Sequence, residues 1–497
     1  MASPLKELDA RLPKFAGSFV FIIPKFAGKF GRLCYFRNMK RQAQESLSKW
    51  LRSKWRKPLI LRGARQVGKS TLVRQFAARE KLALWELNLE RHAGLAEAFA
   101  RMDVAALLQE FSLLLRTPVG NGPGVLFLDE IQAIPAALAC LRYFHEERPD
   151  LPVIAAGSLL EFALDEFRAS MPVGRLEFFH LGPVSFEEFL QGVEGDVVAD
   201  SFRSWNWGQP WPDSLHQITL SRLRDFLGCG GMPEAAAAFA ETKDFVASSE
   251  IQRSIVETYR EDFSKYTRGA EGEKVRRIFD IAPTFLGQKV RWNRIHPSWK
   301  SVDQRHAFDL LARAGVLVPV HHCDGMGVPL SAGRDENVFK LLHLDVGLAQ
   351  SALGGFALPL ELFRTGRFIN EGPLAEQFVG QQLRYWEQGH PPELHYWLRE
   401  GRSGNAEVDF LVAVKGQIVP VEVKSGAAGA MRSLHQFMAL RKGKLAVRFD
   451  LNPPSHQTIA TELDTPRGRE RIEYTLLSLP LPLAGRLPEL LDEVSIL

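Results

Sequence analysis

Gly63-Ala64-Arg65-Gln66-Val67-Gly68-Lys69-Ser70 sets two glycines, a lysine and a hydroxyl at the spacing GxxxxGK[ST]. The chemistry of that spacing is phosphate binding. The glycines let the backbone curl until its N–H groups face phosphate oxygens. Lys69 reaches the β- and γ-phosphates, Ser70 offers a hydroxyl to Mg²⁺, and Thr71 completes the binding loop. An acidic pair, Asp129-Glu130, closes the apolar run 125–128. Asp129 is expected to hold Mg²⁺, and Glu130 to orient or deprotonate the attacking water. Two more residues are candidates for the same site. Ser158 ends the apolar run 151–157 and is placed beside the γ-phosphate as a sensor. Arg175 is expected to set its guanidinium on the transferring phosphoryl group, from this chain or from a neighbour.

A second constellation lies near the C-terminus. In Ile418-Val419-Pro420-Val421-Glu422-Val423-Lys424 the alternation puts Glu422 and Lys424 on one face of a strand. Asp409 arrives from the preceding strand, 407–414, across the tight turn at 415–417. An acidic residue, a hairpin, then Glu-x-Lys resembles the site of PD-(D/E)xK nucleases. That resemblance implies a divalent metal on Asp409 and Glu422, with Glu376 from the helix 372–386 completing the set. Lys424 would position or activate a metal-bound water and neutralise charge on the scissile phosphate. Oxygen ligands suit Mg²⁺ or Mn²⁺ rather than zinc.

The elements that must hold these residues follow from periodicity. Residues 42–55 read as a helix, with Leu47, Leu51 and Trp55 spaced by four. Pro58 ends it, a short buried strand at 59–61 leads into the glycine loop, and 70–78 is helical again. The helix start near Lys69 presents its positive end to the same anion. Residues 215–227 and 244–266 read as helices around a turn at 228–233. From 275 to 344 the order is helix, short strand, helix and two strands, which fits a winged helix. Its reading helix, 302–314, carries Arg305, His306 and Arg313. The stretch 194–213, with Trp205, Trp207 and Trp211, looks like an insertion that either meets a partner or packs onto the first domain.

The motifs 63–70, Leu128-Asp129-Glu130, Ala156-Gly157-Ser158, Gly174-Arg175, Pro183-Val184-Ser185-Phe186-Glu187-Glu188-Phe189 and Gly230-Gly231-Met232-Pro233-Glu234 occur in this order. Together they resemble a large family of bacterial and archaeal AAA-type ATPases that carry a restriction-endonuclease-like C-terminal domain. The resemblance implies ATP as the nucleotide. The expected fold is α/β: a P-loop NTPase parallel sheet over 39–225, a helical and winged-helix segment over 226–355, and an α/β restriction-endonuclease-like domain over 356–465. A tail covers 466–497, and 1–38 is a disordered leader or a mis-assigned start. At 497 residues the chain is too long for one core. Hydrophobic residues at 45% and charged residues at 24% argue against bulk disorder. A net charge of +4 permits nucleic acid without demanding it. Cys34, Cys140, Cys229 and Cys323 form no CxxC pair and read as reduced thiols of a cytoplasmic protein. No apolar run reaches membrane-spanning length. The leading expectation is an ATP-gated enzyme acting on nucleic acid, DNA ahead of RNA, and an oligomer if Arg175 acts on a neighbour. The alternative is a nucleotide switch whose C-terminal domain binds a protein or DNA partner and cuts nothing.

Overall fold

The computed structural model describes residues 39–157, 174–266, 270–296, 298–354, 371–387, 389–400, 405–426, 431–465 and 468–494. The leader 1–38 and Ser158 lie outside them. The first sheet is built from β1 (Leu59–Arg62), β2 (Ala83–Asn88), β3 (Gly124–Asp129), β4 (Val153–Ala156) and β5 (Glu177–His180), in the order β2-β3-β4-β1-β5. All its pairings are parallel. Both faces are covered, which is why β3 is apolar without alternation. Val125 and Phe127 pack with Leu47 of α1 (Ala43–Arg52) and Phe76 of α2 (Lys69–Arg79). Leu126 and Leu128 point the other way, onto Phe111 of α3 (Val104–Leu115) and Phe144 of α4 (Pro135–Glu147).

Helices then take over: α5 (Phe186–Glu194), α6 (Asp196–Ser204), α7 (Asp213–Cys229), α8 (Pro233–Thr242) and α9 (Phe245–Tyr266). The expected turn at 228–233 narrows to 230–232, between α7 and α8, and the sequence reading missed α8. Pro233 sits at its first position and four alanines follow. Beyond it come α10 (Ala270–Ile281), β6 (Val290–Arg291), α11 (Ser301–Arg313), β7 (Leu317–Cys323) and β8 (Arg334–His343). β8 pairs antiparallel with both β6 and β7.

These strands do not close a domain of their own. β7 also pairs in parallel with β9 (His395–Arg399), in the register His321↔His395. A nine-stranded sheet results, in the order β13-β14-β12-β11-β10-β9-β7-β8-β6. Its remaining strands are β10 (Ala406–Val414), β11 (Gln417–Val423), β12 (Leu445–Asp450), β13 (Ser455–Thr465) and β14 (Gly468–Pro480). Helices α12 (Val346–Ala352), α13 (Glu371–Arg384), α14 (Arg432–Arg441) and α15 (Leu487–Val494) pack around it. One sheet therefore runs across the expected boundary at 355 and takes in part of the expected tail, 466–497. A cut at 355 would split one sheet, and residues 468–494 are no tail. β14 pairs with β12 over Leu445↔Thr475 to Asp450↔Pro480, and its Leu476, Leu477 and Leu479 are fully buried. The tryptophans of the insertion are packing residues. Trp205 is buried against Trp207 and Trp211, and the Trp207 indole donates to the Leu490 carbonyl of α15 at 3.1 Å.

Candidate functional site

The glycine loop sits at the carboxyl end of β1, where ligands bind on a parallel sheet. Gly63 has φ +136°, and a Cβ there would lie 2.2 Å from the Leu181 carbonyl oxygen, so only glycine fits. Gly68, at φ +91°, turns the chain into α2. Gln66 also holds a left-handed conformation, at φ 65°. Lys69 is buried, and its ammonium donates to the carbonyls of Gly63 (2.9 Å) and Ala64 (3.0 Å). Burial pulls its pKa down from 10.5 to about 8, against the opposing pull of Glu130 and Asp129. The Ser70 hydroxyl donates to Asp129 Oδ2 at 2.9 Å. Burial raises the pKa of Asp129 while the bond from Ser70 lowers it, and the net shift is upward. Glu130 follows in the left-handed region at φ 52°, a strain of the kind retained at functional sites. Its Oε2 accepts from Gln132 Nε2 at 2.6 Å. Hydroxyl, carboxylate and amine thus lie around one loop.

Arg175 does not join them. It precedes β5 at the edge of the sheet where β1 begins, since Glu177 pairs with Leu59. Its Nε lies 3.4 Å from Glu146 of α4, on the surface. Within this chain Arg175 is at the far edge from the phosphate loop.

The sequence reading missed the residues that grip the loop from outside. Arg41, buried at the start of α1, donates to the Val67 carbonyl at 3.1 Å. Glu188 holds that arginine, accepting from Arg41 Nε at 3.0 Å, and also caps α5 together with Ser185. This explains the Ser-Phe-Glu-Glu motif. The Tyr259 hydroxyl of α9 donates to the Arg65 carbonyl at 2.7 Å, and the Arg65 side chain pairs with Asp262. Ala64 meets Gly315, just after α11, and Gly68 meets Pro233. The Gly230-Gly231 pair is explained by Asp345, which caps α12 and is fully buried. The Gly231 N–H donates to Asp345 Oδ2 at 2.5 Å, and a Cβ on Gly230 would lie 2.2 Å from Oδ1. Gln381 of α13 donates to the same carboxylate at 3.1 Å. The same helix sends Gln377 to the His343 backbone and Gln382 to the Phe186 N–H.

The C-terminal constellation is assembled, but around an amine. Phe410 pairs with Val421, which sets Asp409 beside Glu422. Lys424 Nζ lies 2.5 Å from Glu422 Oε1, and Asp409 Oδ2 accepts from the Val423 N–H at 2.8 Å. The other oxygen of Asp409 faces Lys340 of β8 at 3.3 Å. Lys340, with 2% of its side chain exposed, also contacts Glu376 at 2.7 Å and pairs with Glu407. Burial works against its charge, but Glu376, Asp409 and Glu407 together raise its pKa well above the ordinary value. Burial pushes the carboxyls of Glu376 and Glu422 upward. Glu422 Oε2 is buried with no hydrogen-bond partner. The expected metal ligands Glu376, Asp409 and Glu422 thus do not present a cation site. An internal ammonium holds two of the three, and the third is driven toward its neutral form. Among the described residues no group of three or more His, Cys, Asp or Glu is placed to hold a metal.

The helix expected to read DNA is engaged within the chain. Arg305 donates to Asn337 at 3.0 Å and lies over the Trp292 ring, while His306 meets Glu271 at 2.6 Å. Its exposed positions also include Val302 and Asp309, so no basic face is presented. No helix among the described residues is long and apolar enough to cross a membrane.

Residues 55–190 match a family described as AAA domain. Residues 220–358 and 371–462 match two families, each described as a domain of unknown function. No curated protein matches the chain. Among solved structures, a Walker-type ATPase of Pyrococcus abyssi is similar at 15% identity and a TM-score of 0.41, covering 63% of this chain and 96% of that one. The ORC2 protein of Aeropyrum pernix is similar at 15% identity and a TM-score of 0.33, covering 64% and 93%. Over residues 55–190 the chain is thus similar to the AAA domain family, and its first sheet is parallel with the glycine loop at the end of β1.

Proposed function

We propose that the chain is an ATP-hydrolysing switch whose nucleotide state sets how the middle segment and the C-terminal domain sit on the phosphate loop. The observation that supports this reading is the grip on the loop's own backbone. Carbonyls of Arg65 and Val67 accept from Tyr259 and Arg41, and the Gly231 turn beside Gly68 is tied through Asp345 to Gln381 of α13. A phosphate that reshapes the loop must shift these bonds.

The residues present fit a nucleoside triphosphate with Mg²⁺. Gly63 and Gly68 keep the cradle open, and Ser70 and Asp129 stand within one hydrogen bond of each other. Mg²⁺ held by that pair would offset phosphate charge. Lys69 has two of its three N–H groups on backbone carbonyls, which leaves a third for a phosphate oxygen. Phosphate would also restore the full charge that burial weakens. Glu130, just after β3, would take a proton from the attacking water.

At the other end, the chain favours a module that does not cleave. Metal-dependent cleavage by Asp409, Glu422 and Lys424 would first require Lys340 to leave its carboxylates. A DNA partner rests on the resemblance alone.

The deciding experiment incubates the purified protein with single- and double-stranded DNA and RNA, in Mg²⁺ or Mn²⁺, with and without ATP. Lys69→Ala and Lys424→Ala proteins run beside it. ATP hydrolysis lost in Lys69→Ala, with no cleavage by any form, is the expected result. Cleavage that disappears in Lys424→Ala would overturn the non-cleaving reading, and absence of ATP turnover by the wild type would overturn the switch.

A further inference from the structure

The chain carries no acidic residue between Glu45 and Glu80. Part of the resulting positive charge collects where α1 ends and β1 begins. That edge holds the amino-terminal ends of the parallel strands, so it faces away from the phosphate loop. α1 stops at Arg52, short of the expected 55, and leaves Trp55 on a connecting loop with 86% of its surface exposed.

The loop is braced without covering that ring. The Trp50 indole donates to the Lys57 carbonyl at 2.9 Å, and the Trp55 N–H donates to Ser53 Oγ at 3.2 Å. Arg56 donates to the carbonyls of Leu51 (2.7 Å), Pro149 (3.1 Å) and Asp150 (2.9 Å). The end of α2 joins the same edge through Glu80, which accepts from Ser48 and, at 3.1 Å, from Arg52. The nearby acids are thus occupied. Glu80 has those two donors, Glu177 accepts from the Lys57 N–H at 2.9 Å, and Asp150 pairs with Arg148 at 2.8 Å. Lys49, Lys54, Arg79 and Lys81 are exposed. Among the described residues none of these four side chains has an ion pair or a hydrogen bond.

One exposed apolar side chain means little by itself on a protein surface. A flat indole framed by unpaired cations means more, because it matches both halves of an unpaired nucleotide. The ring offers a face for the base, and the cations offer charge for the phosphates on either side. A paired base keeps its faces inside the stack, so a duplex has no use for the ring. A membrane surface calls for several apolar side chains inserted together. Among the described residues 49–57 and 79–82, Trp55 is the only large apolar residue that is exposed.

We propose that this edge binds single-stranded nucleic acid, with one base stacked on Trp55 and the flanking phosphates on Lys49, Lys54, Arg79 and Lys81. The proposal asks nothing of the C-terminal domain and does not rest on the ATP reading.

The test follows the fluorescence anisotropy of labelled oligothymidylate and oligouridylate with the full chain, without nucleotide, at about 50 and about 200 mM salt. A DNA duplex and vesicles of phosphatidylserine in phosphatidylcholine are parallel probes. Trp55→Ala should weaken single-strand binding roughly tenfold or more, and Trp55→Phe should recover part of the loss. The double variant Lys54→Gln, Lys81→Gln should bind more weakly and make the slope of log affinity against log salt shallower by about 1.4, the release expected of two phosphate contacts. Thermal unfolding of each variant should match wild type, since the changed side chains are exposed. The stronger of the two homopolymers identifies the sugar. No binding of either single strand at low salt would overturn the proposal, as would binding that Trp55→Ala leaves within about twofold of wild type. Trp55-dependent binding confined to the vesicles would also overturn it and give the edge to a lipid surface.

Discussion

Replacing Lys340 with methionine removes the ammonium at the C-terminal centre and keeps much of its volume. The ammonium lies 2.7 Å from Glu376 and 3.3 Å from Asp409. At an effective dielectric of about 20, those distances correspond to attractions of about 6 and about 5 kcal/mol. Desolvating each buried ion takes back several kcal/mol. Glu407 is discounted for solvent screening, because its side chain is 35% exposed. Breaking a buried pair from one side typically costs about 3–5 kcal/mol, and Lys340→Met is expected within that range at pH 8. The sign with pH follows from the carboxyls. Burial already raises Glu376, and without the ammonium it rises further, so acid neutralises the orphaned groups. The deficit should therefore shrink between pH 8 and pH 5. Urea unfolding of both proteins across that range measures it, with the slope checked for two-state behaviour. A second arm adds Mn²⁺ without nucleotide to Lys340→Ala, where vacated carboxylates should now respond to the ion and the wild type should not. A variant within about 1 kcal/mol of wild type at pH 8 would refute a buried, charged centre. Mn²⁺ binding by wild type that is lost in Asp409→Asn would refute the lysine as its occupant.

Other consequences are more local. Lys69 titrates near pH 8 when buried, against 10.5 ordinarily, so the unliganded fold should gain stability as pH rises from about 8 to 10.5. ATP affinity should fall over the same range as the proton is lost, which a titration of a fluorescent analogue from pH 7 to 10 would show. Glu130→Gln keeps the fold of β3 and should lower ATP turnover by about 10²–10⁴ with binding retained, measured by phosphate release. Gly230→Ala places a Cβ 2.2 Å from Asp345 Oδ1 at φ +68°, and should cost about 2 kcal/mol or more in chemical denaturation.

The phosphate loop was legible because its chemistry is local: eight residues carry the turn, the amine and the hydroxyl. The Asp409–Glu422 pair was legible for a similar reason, since one tight turn joins their strands. Lys340 was not, because its partners lie 36 and 69 residues away. Its signal was present even so. A lysine between Phe339 and Leu341-Leu342, inside the apolar second half of its strand, must be paired if that half is buried. Within this chain Arg175 stands away from the loop for a reason the sequence could have supplied. It precedes its strand, whereas a parallel sheet binds ligands where strands end. β14 was taken for a tail because Leu476-Leu477 and Leu479-Pro480-Leu481 lose the period-2 alternation where the strand is buried on both faces.

What joins the two centres is a single strand and a single helix. β8 carries Lys340 to the carboxylates and, five residues on, the chain reaches Asp345, which holds the glycine turn beside the phosphate loop. α13 runs alongside and meets this path at Glu376, Gln377 and Gln381, with each contact a hydrogen bond or ion pair. Such an interface differs from an apolar one in how it responds to displacement. Apolar packing tolerates small sliding, because the area buried barely changes. Buried polar groups lose a partner outright when shifted by about an ångström, and each lost partner costs about 1–3 kcal/mol. A run of them along one strand therefore has few intermediate positions. Contiguity alone does not establish coupling, which needs an element with two discrete arrangements. The strand from Lys340 to Asp345 is the segment whose bonding makes partial movement costly, so a change at the phosphate loop large enough to free Gly231 should move it as a unit.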